Sequence, residues 1–179
     1  PVRPINSEGA NRQYADAQGA DFSRADLRGA QLHGAKLQNA NLREADLRPG
    51  SLATTSGRAS NQVADLSEAN LDGSDLTGAN LSSAHIADAS MRKATVETTR
   101  LGRANLAGAD LTNANLEGAQ LKNAELPGAT LKGAKLRHAN FQDANLSGIS
   151  LQGVDLSAAD MRGATVSRSP DELPIAVQA

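Results

Sequence analysis

A five-residue pattern recurs twenty-nine times along the chain: a small residue, a polar residue, a Leu-like residue, then two polar or small residues. It is seen without interruption in Ala104-Asn105-Leu106-Ala107-Gly108 and in the pentads that follow it, centred on Leu111 and Leu116. The centres run from Ala17 to Leu52 and again from Leu66 to Val166; twenty-one are Leu, and twenty-four have Ala two places before them. Self-similarity this regular means that one stacked unit has to account for most of the chain.

A period of five is wrong for a helix. At about 100° per residue, Ala114 and Leu116 would point some 200° apart and successive Leu residues would smear around the cylinder. In extended chain, residues two apart share a face, so Ala114 and Leu116 point one way and Asn115 the other, while the next two residues turn a corner. One such side cannot bury its Leu. Stacked coils can, and each coil also pairs its backbone with its neighbours. The expectation is an all-β solenoid with the centre and the preceding small residue inside and the other three positions outside.

These pentads resemble the pentapeptide repeat family, whose motif is a small residue, Asn or Asp, Leu or Phe, and two polar or small residues. The resemblance covers 15–168 apart from one break. It implies a right-handed quadrilateral parallel β-helix with four pentads per coil, hence about seven coils and a rod about 34 Å long at ~4.8 Å per coil. Residues twenty apart then stack, as in the column Leu66, Ile86, Leu106, Leu126, Leu146 and Val166. Ala at the inner flanking position keeps the bore narrow. Ile149 and Val154 stand there instead in adjacent pentads, which predicts a local bulge or wider bore.

Three segments lack the repeat. Pro1 to Tyr14 reads as an N-terminal cap, and 169–179 as a C-terminal cap or tail. Between Leu52 and Leu66 the centres are fourteen residues apart, one short of three pentads, so a loop is expected at about 53–63. Its residues Thr54, Thr55, Ser56, Gly57, Arg58, Ser60 and Asn61 are the candidate interaction loop; the alternative is a tolerated surface insertion. The chain opens on Pro1 without a charged-then-apolar leader, which suggests a processed chain or a piece of a longer one.

Composition narrows the function. No apolar run approaches the ~18 residues needed to cross a bilayer, so no membrane partner is expected. There is no Cys, which removes disulfides and thiolate chemistry and fits either cytoplasm or periplasm, the cytoplasm being the expectation. His33, His85 and His138 fall at outward positions of separate pentads, and metal ligands must converge on one ion, so no metal or other cofactor is expected. Asp before Leu belongs to the repeat, and no catalytic or nucleotide-binding fingerprint is present. The chain reads as non-enzymatic.

Two functional classes remain. One is a rigid scaffold displaying side chains to an unknown protein partner, as a monomer or an end-to-end homodimer. The other follows from the resemblance: quinolone-resistance members of the family mimic duplex DNA and bind type II topoisomerases. Duplex DNA carries one charge per ~1.7 Å, or about twenty over such a rod. The chain has 20 acids against 18 bases, which disfavours mimicry. A local acidic patch, Asp65, Glu68, Asp72, Asp75 and Asp88, has no Lys or Arg between Leu66 and Met91, and keeps the idea in play. Nucleic acid is not expected as a partner, because aromatic residues make up 2% of the chain and stacking platforms are lacking.

Overall fold

The computed structural model describes residues 11–53 and 59–167. Parallel backbone bridges join residues twenty apart, as in Asn105 with Glu125 and Asn115 with Lys135, so four pentads make one turn. The sides form four faces, which we call 1 to 4 after the columns through Leu66, Leu71, Leu76 and Leu81. Each side meets its neighbour through a single bridge residue followed by a two-residue corner. Longer pairing occurs between Asn145–Leu146 and Thr165–Val166, which are parallel.

The side centred on Leu106 shows how the backbone is satisfied. The Leu106 N–H donates to the Glu125 carbonyl (2.6 Å) and the Gly108 N–H to the Pro127 carbonyl (3.0 Å), both in the next coil. The Asn105 N–H donates to the Ala84 carbonyl of the previous coil (2.9 Å), and the Ala109 N–H closes the corner onto the Leu106 carbonyl (3.0 Å). Four of the five N–H groups are thereby used. The fifth, on Ala107, points outward and is capped by Asn105 Oδ1 at 3.0 Å. The same cap recurs on the other faces, from Asp110 to Thr112, from Asn115 to Glu117 and from Asn140 to Gln142. Asn and Asp prevail before the centre because their short side chains reach this N–H, as in an Asx turn.

Each corner needs a left-handed residue two places after the centre. Gly108 (φ 68°) supplies it without strain, while Asn113 (φ 58°) and Arg103 (φ 58°) adopt it against their Cβ. Glycine also makes room: a Cβ on Gly108 would run into Asp88 Oδ1 of the coil below.

The bore is filled by the centres and the Ala residues. Leu106, Leu111, Leu116, Leu121 and Phe141 are fully buried, as are Ala104, Ala109, Ala114 and Ala119. Burying each Leu-sized side chain contributes roughly 1.5–3 kcal/mol, which offsets the entropy of ordering the chain. Two polar residues replace Ala inside. Thr99 Oγ1 donates to the Leu76 carbonyl (2.7 Å), while the buried Ser74 hydroxyl has no partner among the described residues.

The bulge expected at Ile149 and Val154 is present. Asp110 bridges to Ser90 before it and to Thr130 after it, yet Thr130 and Ser150 do not pair. The N–H groups of Leu131, Gly133 and Leu136 likewise lack the next-coil acceptors that their counterparts in other coils have. The longer side chains push this part of the last coil away. Ala129 and Ala134 below are correspondingly 4% and 5% exposed, where most inner Ala residues are at 0–1%.

Two boundaries differ from the sequence reading. The wall already includes Asn11, ahead of Ala15: Asn11 bridges to Gln31, and the Arg12 and Tyr14 N–H groups donate to the Gln31 and His33 carbonyls as any side does. Arg12 therefore holds a centre position in the first described side, and it is exposed there. At the other boundary, Leu52 leaves the ladder. Asp46 bridges to Asn80 and Gln31 to Asp65, thirty-four residues apart in place of twenty, so the side after Leu47 is the one centred on Leu66. Pro1 to Ala10, Thr54 to Arg58 and the tail from Arg168 lie outside the described residues, and with them most of both expected caps.

Replacing Leu116 with Lys places an unpaired charge in the bore and should cost several kcal/mol, whereas Glu117→Ala on the outside should change stability by about 0.5 kcal/mol or less. Thermal melts of the two variants check this; equal melting temperatures would mean that the inward register is wrong.

Candidate functional site

The thirty-four-residue step contains the one large departure from the wall among the described residues. Strand β1 (Gly50–Ala53) pairs antiparallel with β2 (Ala59–Gln62), Gly50 opposite Gln62 and Ala53 opposite Ala59. The expected loop at about 53–63 is thus the outer part of a hairpin that begins at Gly50. Its cause is local. Pro49 stands two places after a centre, where the corner needs positive φ, and its ring holds φ near −65°. The wall cannot turn there, and the chain departs.

The root of the hairpin is seated closely against the wall. A Cβ on Gly50 would meet the Arg28 carbonyl oxygen at 2.7 Å, and one on Gly29 would meet the Gln62 carbonyl oxygen at 3.0 Å. Gln31 Nε2 donates to the Val63 carbonyl (3.1 Å) and also to that of Gly29 (3.1 Å). Beside the root on face 4, Asp26 and Asp46 accept from Arg28 and Arg48 at 2.7 Å, and these guanidinium groups hold both carboxyls below the usual carboxylate range. Of the candidate loop residues, Ser60 and Asn61 lie in β2, with Cα partners Leu52 and Ser51. Thr54, Thr55, Ser56, Gly57 and Arg58 lie outside the described residues.

The acidic patch does not form one surface. Asp65 is on face 1, and Glu68 and Asp88 follow the same face at its corner, one coil apart. Asp72 is on face 2, accepting from Ser90 Oγ (2.6 Å) and the Arg92 N–H (2.9 Å). Asp75 is on face 3, where partial burial raises its pKa but is outweighed by hydrogen bonds from Thr77 and Arg43, so the net shift is downward; Arg43 Nη1 lies at 3.1 Å. Residues that are close in sequence are spread over three sides because five residues suffice to turn a corner.

Face 1 carries a chain of polar contacts. His33 Nδ1 lies 2.8 Å from Ser67 Oγ, and that hydroxyl donates to Asp65 Oδ1. Because Ser67 spends its proton on Asp65, it accepts from His33, so the imidazole does not serve as its base; this order does not activate a nucleophile. Nε2 of His33 is 3.9 Å from Glu68 Oε2, and the Tyr14 ring, 66% exposed, meets the imidazole edge-on at 5.4 Å. His85 and His138 lie elsewhere, and no group of three metal-ligating side chains occurs among the described residues. None of these residues forms a helix long and apolar enough to cross a membrane.

The profile of the family described as Pentapeptide repeats matches in eight copies, over residues 9–48, 64–103, 99–137 and 139–169. The chain belongs to the pentapeptide repeat family. Its fold is the right-handed quadrilateral β-helix of that family, and the profile gap at 49–63 falls on the hairpin. Among solved structures, the chain is similar to HetL, a pentapeptide repeat protein involved in heterocyst differentiation regulation in the cyanobacterium Nostoc, at 28% identity, covering 86% of each chain with a TM-score of 0.45. It is also similar to the plasmid-mediated fluoroquinolone resistance protein QnrB1, at 16% identity, covering 93% of this chain and 88% of that one with a TM-score of 0.46. The search of curated protein sequences finds no match.

If the hairpin is an insertion into an otherwise continuous pentapeptide wall, removing 50–63 joins Leu47-Arg48-Pro49 directly to Ala64-Asp65-Leu66 in register. Combined with Pro49→Gly to supply the left-handed corner, the deletion should melt at or above the parent temperature. The same deletion with Pro49 retained should melt lower, because the corner is then strained by about 1–3 kcal/mol. Unfolding of the deletion that carries Pro49→Gly, seen in circular dichroism, would show that the hairpin is part of the wall.

Proposed function

We propose that this pentapeptide repeat protein is a non-enzymatic scaffold that binds another protein, with the hairpin as its recognition element. The observation carrying this reading is that the hairpin lies outside the bridged ladder of the wall yet is seated closely against it. Gly29, Gly50 and Gln31 hold its root in a fixed direction at the corner between faces 4 and 1. A merely tolerated insertion needs no such seat. The rigid rod lowers the entropy lost on binding, and the residues we assign to the partner contact are Thr54, Thr55, Ser56, Gly57, Arg58, Ser60 and Asn61.

Mimicry of duplex DNA is the weaker reading. It calls for closely spaced unpaired carboxylates along one side, whereas Asp72 and Asp75 are on other faces from Asp65, Glu68 and Asp88, and Asp75 is engaged by Arg43.

Affinity capture from the source cell with the full chain and with the 50–63 deletion carrying Pro49→Gly should yield a protein retained by the first and lost from the second. An identical set of retained proteins removes the hairpin as the recognition element. In a gyrase supercoiling assay, the full chain should neither inhibit nor protect from quinolone; potent inhibition abolished by neutralising Asp65, Glu68 and Asp88 would make mimicry the better reading.

A further inference from the structure

Face 4 departs from the capping rule halfway along the rod. Arg100 stands where Asn or Asp caps the outward N–H elsewhere, and a guanidinium has no acceptor to offer. The Gly102 N–H consequently has no hydrogen bond within the described chain. One coil on, Gln120 turns its amide to the Gly118 carbonyl (3.0 Å) and leaves the Lys122 N–H in the same condition. Arg100 and Gln120 are bridge partners, so these two N–H groups are stacked about one coil step, ~4.8 Å, apart.

Gly102 itself is unexplained by the fold. Its φ is not left-handed, and a Cβ there would meet nothing closer than the Lys122 carbonyl oxygen at 3.6 Å, an ordinary contact. Every other described side carries a side chain at this place after the centre. What its absence does is leave the N–H bare among Arg100, Arg103 and Lys122. All three are exposed, and none is held in an ion pair or a side-chain hydrogen bond among the described residues. No carboxylate occurs on this face from Asn80 to Asn123. Across the corners, Glu97 is occupied by Asn115 Nδ2 and Glu125 by Asn145 Nδ2 (2.8 Å), while Glu117, one coil on from Glu97, is a carboxylate there with no such hydrogen bond among the described residues. Other uncapped N–H groups lack this setting; that of Arg137, for example, has Asp155 in the bridge position beside it.

We propose that face 4 at Gly102 is an oxyanion site that takes a phosphate monoester displayed by a partner protein. The Gly102 and Lys122 N–H groups donate to the phosphate oxygens, and Arg100, Arg103 and Lys122 supply the charge. Bare backbone N–H groups beside cations not held in ion pairs are the recurrent makings of such a site, and of the three cations only Lys122 feels a carboxylate, that of Asp160 farther along the face. A phosphorylated side chain fits its size better than a nucleic acid does. Acids bound the positive stretch, with Asp46 on one side and Asp143 and Asp160 on the other, and the face has no exposed aromatic ring on which a base could stack. The partner half of this proposal rests on the scaffold reading; the phosphate half does not.

Amide NMR of the full chain, titrated with sodium phosphate at ionic strength held constant with sodium chloride, tests the phosphate half. Gly102 and Lys122 should shift and saturate, and chloride alone should not move them. Arg100→Asn restores the cap used at Asn105, so the fold is kept while affinity should fall at least tenfold. Unsaturable shifts, or unchanged binding in Arg100→Asn, would overturn the site. For the partner half, a phosphoserine peptide should shift the same amides and its unphosphorylated form should not. A short DNA duplex that occupies those amides more tightly than the phosphopeptide would overturn the monoester assignment.

Discussion

The structure depends on how five backbone N–H groups per pentad are satisfied. The ladder to the two neighbouring coils takes three and the corner takes one, which leaves a single outward N–H that no other backbone group can reach. Unmade hydrogen bonds are costly in proportion to burial, and at this half-covered position a side chain of the right length serves in place of a carbonyl. Asn and Asp provide it, as Asn105, Asp110 and Asn115 do in succession. The polar residue before each Leu therefore follows from the same geometry that buries the Leu. It marks the surface of the rod but does not by itself signal chemistry there.

This explains why the inside is legible in the sequence. Leu116 and Ala114 share a face only if the chain is extended, and only stacking buries them, so the period and the Ala rule lead to the solenoid before any coordinates are known. Even the irregular coil is visible: Ile149 and Val154 in Ala positions are too large for the bore, and the ladder opens where they stand. Four-sidedness is different. Nothing in a five-residue period says how many sides close a coil, and that step comes from the resemblance to the pentapeptide repeat family.

The outside is less legible for a definite physical reason. Corners turn the chain every five residues, so nearness in sequence does not give nearness on a face; Asp65, Asp72 and Asp75 look clustered in the sequence and occupy three sides. The near edge of the hairpin is hidden because Leu52 satisfies the pentad pattern by composition. Pro49 carries the decisive signal. Reading the corner position for its φ requirement, and not only the centre for its hydrophobicity, places the departure at Gly50.

Outward positions contribute little to the bore, so a wall of this kind tolerates most polar residues there and does not dictate which face carries which charge. Departures from the pattern are then informative in proportion to how little the fold requires them. Pro49 has a structural effect large enough to account for itself, since it forces the chain out of the wall. Gly102 has none: its backbone conformation admits a side chain, its surroundings have space for one, and the neighbouring Arg100 forgoes the cap that Asn would supply. Two unforced departures on adjoining outward positions, both exposing the same N–H, are what an anion would use and what the solenoid has no need of.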